Sequence, residues 1–439
     1  MKLTDTIYAT SSGIGRAAIA VVRVSGPRAK ELLGALAGTI PEPRRASVRK
    51  LAFKQDLIDE AVVLWFPGPA TATGEDIAEF HTHGSPAVLA RLFAAFSEFD
   101  NVIPALPGEF TKRAFENGRL DLTEVEGLAD LLIAEGEGQR RLALRQFLGE
   151  NSRQVDSWRE RILRVLALVE ASIDFADDDA EIAATAQQVG AEVEELVAEL
   201  GLALEQSAAG VSLRSGLKLV IAGAPNVGKS SLFNALLQRE AAIVSPQAGT
   251  TRDVVTSGLL IAGLPVILAD TAGLRVRTSD DVEIQGMARS RSEISDADIL
   301  VWVRATDSEE TVGPAREPDL LVINKCDLLR LGEVPQEVDA MQVSVLTGQG
   351  IDQLREAISQ LIGERYAGAE NAVLVRERHR SSVVQSIRHL NEFLNDRSKS
   401  AELRAEDLRL AGRALAMITG RVDVEDLLGK IFSEFCIGK

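Results

Sequence analysis

Residues 223–230 read GAPNVGKS, the spacing G-x-x-x-x-G-K-S. The apolar run Leu217–Gly223 leads into this segment and the helical pattern SLFNALLQ leads out. Glycines let such a loop wrap closely, so that backbone N–H groups at a helix start face phosphate oxygens. Lys229 can then reach the terminal phosphates, and the Ser230 hydroxyl can ligate Mg²⁺. The alternative is a chance glycine-rich turn, and the strand before and helix after count against it. Further on, DTAG (Asp270–Gly273) follows the run LPVILA, where an acid at a strand end suits a Mg²⁺ shell and Gly273 can offer its N–H to a γ-phosphate. NKCD (Asn324–Asp327) follows LLVI. The Asp327 carboxylate can accept from both the N1–H and the amino group of guanine. Adenine offers neither donor there and would leave the acid unpaired. SVLTG (Ser344–Gly348) can close over the base, and GTTRD (Gly249–Asp253) supplies Thr251 as a second Mg²⁺ ligand.

In this order and at strand ends, the pieces resemble the GTPase domain of the G-protein family. The nucleotide set is then Asn226, Val227, Gly228, Lys229, Ser230 and Ser231 in the phosphate loop. Ser245, Pro246, Gln247, Ala248, Gly249, Thr250 and Thr251 lie in the next segment. Asp270, Thr271, Ala272 and Gly273 follow, then Asn324, Lys325, Asp327 and Ser344 at the base. Leu274 stands after DTAG where many such proteins carry a water-orienting Gln, and a leucine cannot align the attacking water. Glu283 is the nearest acidic candidate for that role, with Asp280 and Asp281 as rivals and a solvated acidic loop as the plain alternative. Asn226 carries a carbonyl oxygen able to ligate K⁺, in a ring completed by Ser245, Gln247 and Thr250. Its plain alternative is loop stabilisation through the side-chain amide.

The elements that must hold these residues follow from composition. The chain has 439 residues, enough for about three domains. It is 46% hydrophobic and 26% charged, a globular composition. Its net charge of −17 excludes a basic nucleic-acid coat, and 4% aromatics argue against base reading by stacking. Two cysteines exclude a disulfide scaffold and fit a reducing cytoplasm. With no apolar leader and no run of about 18 apolar residues, no membrane association is expected. Residues 1–118 mix strand candidates, AIAVVRV and AVVLWFP, with helical patterns. Ser25 is expected to cap one helix, and Ser85 with Pro86 to open another. Residues 119–213 are almost all helical and carry 8 basic against 20 acidic groups. Residues 214–366 alternate strand and helix, and 367–439 return to helix. The expected architecture is a multidomain α/β chain: an N-terminal α+β domain, a split all-α helical domain, and an inserted P-loop α/β GTPase domain.

DTIYA, RVSG, TGEDIAEFHTHG, PGEFTKRAFENGRLDL, EASIDF and the ending ITG…DLLGKIFSEFCIGK add to the G-domain motifs. With them the chain resembles, over essentially its whole length, the tRNA-modification GTPase family called MnmE or TrmE. The resemblance implies an N-terminal folate-binding and dimerising domain, a homodimer, and a heterotetramer with the FAD-containing partner MnmG (also called GidA). It implies addition of an aminomethyl or carboxymethylaminomethyl group to carbon 5 of the wobble uridine of certain tRNAs. The one-carbon unit would come from a tetrahydrofolate, as the 5-formyl or 5,10-methylene form. It also implies that K⁺ takes the place of an arginine finger. Folate contacts carry over to Arg23, Glu79, Arg119 and Lys439. Many relatives have Lys where Arg119 stands, which keeps the charge but changes the donor geometry. Cys436 in FCIGK reads either as a thiol assisting transfer or as small buried filler. A switch GTPase of ribosome assembly, with no modification chemistry, is the alternative function. It has no need of the N-terminal block or the FCIGK tail.

Three smaller features remain. His81 and His83 lack a further ligand at workable spacing, so a turn or pocket-lining role is preferred to a metal. Asp177, Asp178 and Asp179 could bind Mg²⁺, but a solvated helix end is the preferred reading. RERHR (Arg376–Arg380) is the best local basic stretch, either a tRNA phosphate contact or a solvated helix face.

Overall fold

The structure, a computed structural model, describes residues 5–13, 15–174, 179–238, 256–270, 293–308, 313–329, 340–395, 400–422, 428–429, 431–432, 435 and 438. It divides into two compact units. The first comprises Met1–Ala129, Gln146–Leu163 and Gly412–Lys439; the second comprises Asp130–Arg145 and Arg164–Ala411. The helical segments flanking the P-loop region contribute to both.

The first unit is built on a six-stranded sheet. Its strands are β1 (Thr6–Thr10), β2 (Ala17–Ser25), β3 (Ser47–Phe53), β4 (Asp56–Phe66), β5 (Ile77–Gly84) and β6 (Val102–Pro104), in the order β3-β4-β5-β2-β1-β6. The helices α1 (Ala29–Ala37) and α2 (Pro86–Phe96) cover the sheet. Alternation along the strands sends Val22, Val24, Val63, Trp65, Ala78 and Phe80 into one core with Leu32, Leu36, Leu92 and Phe96. The helix α3 (Glu109–Glu116) follows β6, and α4 (Leu122–Ile133) follows in turn. Val125 of α4 packs with Phe432 and Phe435 from the C-terminal segment.

The expected caps are realised differently. Ser85 has the extended backbone of a cap before Pro86, but its side chain makes no capping bond. Ser25 does not cap α1, which begins four residues later at Ala29, behind Arg28. Its hydroxyl instead bonds Thr73 Oγ1 and donates to Glu75 Oε2, both at 2.7 Å. A buried hydroxyl facing a carboxylate finds a stronger partner there than a helix N–H would offer.

The second unit holds α5 (Glu137–Phe147) in part, α6 (Glu150–Asp174) in part, and the long α7 (Asp179–Ser215). Residues Gln187–Ser215 of α7 are long and apolar enough, by length and composition, to cross a membrane, despite the lack of any continuous apolar run. Val189, Val193, Leu196 and Leu200 are buried at three- and four-residue spacing, the stripe of a packed amphipathic helix. After one glycine α7 gives way to β7 (Leu217–Gly223), which opens the second sheet with β8 (Thr256–Ile261), β9 (Leu264–Asp270), β10 (Ile299–Ala305), β11 (Leu320–Asn324) and β12 (Met341–Gln342). The order is β12-β11-β10-β7-β9-β8, parallel except for β8. The helices α8 (Lys229–Gln238) and α9 (Ile351–Arg365) pack on it. Then come α10 (Glu377–Asn395) and α11 (Ala401–Thr419), with α10 packed along α7. The continuous apolar runs of β7 and β10 are what a parallel sheet covered on both faces requires.

Candidate functional site

Strand order reverses beside β7, and the crevice outside the strand ends at such a point is where open α/β sheets bind ligands. The phosphate loop leaves β7 there. Asn226 takes a left-handed backbone (φ 65°) with its side chain exposed, and Gly228 has φ 95°. A Cβ at Gly228 would collide with Asn324 Nδ2, so only glycine permits this approach of loop to loop. Lys229 is buried, and its Nζ donates to the carbonyls of Gly223 at 3.0 Å and Ala224 at 2.8 Å. The ammonium is thus held inside the loop curve. Ser230 and Ser231 sit exposed in the first turn of α8, and Val227 is fully buried.

NKCD begins at the end of β11, and its neighbours are fixed by the register of β10 and β11. Asn324 is 3% exposed. Its Nδ2 donates to Val227 O at 2.9 Å, and its Oδ1 accepts from Val345 N at 3.2 Å. One amide therefore pins the phosphate loop to the SVLTG loop. Ser344, fully buried, donates to Asp327 Oδ1 at 2.6 Å and accepts at its Oγ from Thr347 N at 3.2 Å. That bond fixes the orientation of the Asp327 carboxylate. Lys325 Nζ pairs with Asp307 at 2.9 Å, and that bond holds the Asp307 carboxyl below its usual range. Burial pushes the Cys326 thiol up, its neighbour Asp327 adds to that, and its Sγ contacts Val343 O at 2.7 Å, so it packs as a neutral thiol. Asp270 closes β9 in register with Ile221 of β7, on the phosphate-loop side of the sheet.

In the first unit, β2 and β5 place Arg23 opposite Glu79. The guanidinium donates to Glu79 Oε1 at 3.0 and 2.8 Å, and His81 Nε2 lies 3.3 Å from Oε2. Gly438 (φ 98°) lies against β1: Ser11 Oγ donates to Gly438 O at 3.0 Å, and a Cβ there would collide with Thr10 O. Thr10 pairs with Val22, the neighbour of Arg23, so the C-terminal tail reaches the strands that carry the Arg23–Glu79 pair. Arg119 is exposed and donates to Thr71 O at 3.2 Å. Among the described residues no hydrogen bond or ion pair joins it to that pair.

Residues 6–119 match the family model described as the GTP-binding protein TrmE N-terminus, and residues 122–436 match the MnmE helical domain. The tRNA modification GTPase MnmE of Beijerinckia indica is 46% identical over 99% of this chain and 96% of its own. Those of Rhizobium etli and Rhodopseudomonas palustris are each 47% identical, over 100% and 99% of this chain and 99% of each relative. The chain belongs to the MnmE family of tRNA modification GTPases. Among solved structures, the G domain of T. maritima FeoB is similar over 34% of this chain and 98% of its own, at 26% identity and a TM-score of 0.22, too low to bear on the fold.

Several residues expected of an MnmE-family chain lie outside the described residues. They are Ser245, Pro246, Gln247, Ala248, Gly249, Thr250, Thr251, Thr271, Ala272, Gly273, Glu283 with its rivals Asp280 and Asp281, Cys436 and Lys439, and also Asp177 and Asp178. Asp179 opens α7. The basic stretch RERHR is not an open phosphate-binding face along its length. Arg376 is paired with Asp130 at 2.9 Å, which Arg214 also engages at 2.9 Å; His379 is fully buried, and Arg380 bonds Ser207 and Leu204 O. His83 is taken up by Asp59, at 2.8 Å from both its ring and its backbone N–H. Burial alone would raise the Asp59 carboxyl, but these bonds and one from Glu60 N–H bring it below its usual range. Sequence reading missed Arg113, which is 3% exposed and bridges Glu75 and Glu109 at 3.1 Å while donating to Asp5 O at 2.7 Å. The Glu109–Arg113 spacing of four on α3 was the available signal.

Proposed function

We propose that the chain hydrolyses GTP to drive modification of the wobble uridine of certain tRNAs, acting as a homodimer with an FAD-containing MnmG-type partner. The observation that carries the nucleotide half is the Asn324 amide joining the phosphate loop to the base-reading loop, with Asp327 oriented by Ser344. In this reading the N–H groups of Asn226–Ser231 cradle the phosphates, and Lys229 exchanges two loop carbonyls for phosphate oxygens. The Asp327 carboxylate accepts from guanine, and Glu283 orients the attacking water.

The donor chemistry suits Mg²⁺. The Ser230 hydroxyl stands exposed at the start of α8, and Asp270 ends the strand next to β7. Ser230 and Thr251 would hold the ion, which supplies neutralisation of phosphate charge. Asn226, exposed at the loop mouth, suits one ligand of K⁺, with Ser245, Gln247 and Thr250 as the others. K⁺ there would supply the positive charge an arginine finger gives elsewhere.

For the folate half, Arg23 and Glu79 already lie side by side, each partly exposed, with side-chain exposures of 24% and 15%. The carboxylate suits the donor edge of a pterin, and the cations Arg23, Arg119 and Lys439 suit the acidic tail. A bound tetrahydrofolate would supply the one-carbon unit. Cys436 is assigned an assisting role on this side. The domain division that accompanies this reading is 1–118, 119–213 with 367–439, and 214–366. Nucleoside analysis of tRNA from a strain lacking this chain tests the proposal. Loss of the wobble-uridine modification is expected, and unchanged wobble uridines would leave a switch GTPase of ribosome assembly as the better reading.

A further inference from the structure

In the first unit, α3, the end of β2 and the loop that leads into β5 meet at one buried guanidinium. Arg113 of α3 donates from Nη1 to both oxygens of Glu75 at 3.1 Å and to Asp5 O at 2.7 Å, and from Nη2 to Glu109 Oε1 at 3.1 Å. Resting on the folate reading above, we propose that Arg113 and Glu75 are positioning residues for the one-carbon carrier. They hold the loop 71–75 so that Arg23, Glu79 and Arg119 address a single ligand.

Contacts run from this pair to each of the three folate residues. Glu75 Oε2 accepts from Ser25 Oγ at 2.7 Å, and Ser25 stands on the same face of β2 as Arg23. Glu75 lies just before β5, whose pairing with β2 sets Ser25 opposite Ile77 and Arg23 opposite Glu79. Within the loop, Thr71 Oγ1 donates to Glu75 O at 2.6 Å, and Glu75 N–H donates to Thr73 Oγ1 at 3.2 Å. The loop carbonyls then receive the residues that follow α3. Asn117 Nδ2 donates to Thr73 O at 2.7 Å, and Arg119 Nε donates to Thr71 O at 3.2 Å. Gly74 (φ 81°) lets the loop lie against these two side chains, where a Cβ would collide with Asn117 Cβ. Arg119 is thus held through Nε and keeps its two terminal nitrogens for a carboxylate, whereas a lysine would divide one nitrogen between the two tasks. Burial argues that the arrangement serves position. Arg113 and Glu109 are 3% and 5% exposed. The desolvation of such groups can exceed their ion-pair gain, and their best-attested use is to fix one arrangement. The planar fork of a guanidinium suits that use, because it presents separate donors in fixed directions to a loop carboxylate, a helix carboxylate and the carbonyl before β1.

Fluorescence titration of the full chain with 5-formyl-tetrahydrofolate, well below the thermal midpoint of each variant, tests this. Arg113→Lys keeps a positive charge but not the fork, and should weaken folate binding roughly tenfold, as for residues coupled in one network. Glu75→Ala should do the same. Glu75→Gln keeps an acceptor for Ser25 and Arg113 and should recover binding to within about threefold of wild type. Asn117 is exposed, so Asn117→Ala tests the loop contact even where the buried variants fold poorly. A severalfold loss is expected, and it should shrink when Arg119 is already alanine. GDP affinity should stay within about twofold throughout, because the nucleotide loops belong to the second unit. Glu31→Ala, in an exposed pair with Arg28, should change neither affinity. A purely structural role gives lower thermal midpoints with unaltered folate affinity in the folded chain, and additive Asn117 and Arg119 losses. That result overturns the proposal and leaves the folate reading standing. A wild-type chain that does not bind 5-formyl-tetrahydrofolate overturns the folate reading and this proposal with it.

Discussion

Replacing Asn324 by alanine tests the claim that one amide holds the phosphate loop and the base loop in register. The substitution removes the donor to Val227 O and the acceptor for Val345 N, at a position 3% exposed. Each bond contributes about 0.5–1.5 kcal/mol net, and a buried group left unpaired costs about 1–3 kcal/mol. At about 1–2 kcal/mol for each of the two partners left behind, Val227 O and Val345 N–H, the loss is about 2–4 kcal/mol, shared between G-domain stability and nucleotide binding because the free loops can relax. At about 1.4 kcal/mol per factor of ten, half of that falling on binding weakens GDP affinity roughly five- to thirtyfold. Titration with a fluorescent guanine nucleotide reads the binding share, and the urea midpoint reads the rest. Asn324→Asp keeps an acceptor for Val345 N but sets a carboxylate against Val227 O, so it should weaken binding at least as much. An alanine variant with GDP affinity within twofold and an unaltered urea midpoint would refute the pinning argument.

Asp327→Asn should shift preference from GTP toward xanthosine triphosphate, because an amide can donate where guanine presents its amino group; unaltered GTP affinity would remove NKCD from base reading. Glu283→Ala should slow turnover while leaving GTP affinity within a few-fold, the pattern of a transition-state contact, and full activity would pass the role to Asp280, Asp281 or a partner. GTP turnover should be faster in KCl than in NaCl at equal ionic strength, with the difference lost in Asn226→Ala; equal rates in the wild type would eliminate the potassium reading. Asp319 offers a pH test. Burial alone would raise its carboxyl, but Arg365, Leu300 N–H and Arg316 together hold it below the usual range. A depressed carboxyl contributes stability above its unfolded pKa of about 3.9 and loses it as pH falls through the folded value. The urea midpoint of Asp319→Asn should therefore lie below wild type at pH 7 and converge on it below about pH 4, and a gap independent of pH would rule out the ionised pair as its source.

The phosphate loop and its flanking strand and helix were legible in the sequence because their pattern is local. A phosphate loop needs its glycines, lysine and serine at fixed spacing between a strand and a helix, and residues 217–238 supply all of these in order. Where contacts depend on register, the sequence said less. Glu79 and His81 share a strand face by period two, but only the β2–β5 pairing sets Arg23 beside them. Ser25 was misjudged as a cap for the same reason: its partners Thr73 and Glu75 arrive from 48 and 50 residues away.

In RERHR (Arg376–Arg380) composition and position disagree most. Three arginines and a histidine in five residues read either as a tRNA phosphate contact or as a solvated helix face. On α10 and just before it, however, Arg376 and Arg380 face inward, toward Asp130 and toward the carbonyl end of a turn in α7. Asp130 therefore has two cations in contact, Arg376 and Arg214, the latter at the end of α7 where the chain enters the P-loop sheet. That arrangement ties the point of entry to the G domain to the helix that follows its exit. Arg376 and Arg380 therefore direct their donors to Asp130 and to the Leu204 carbonyl within the second unit, and the Arg376 side chain, 15% exposed, is no solvated helix face either.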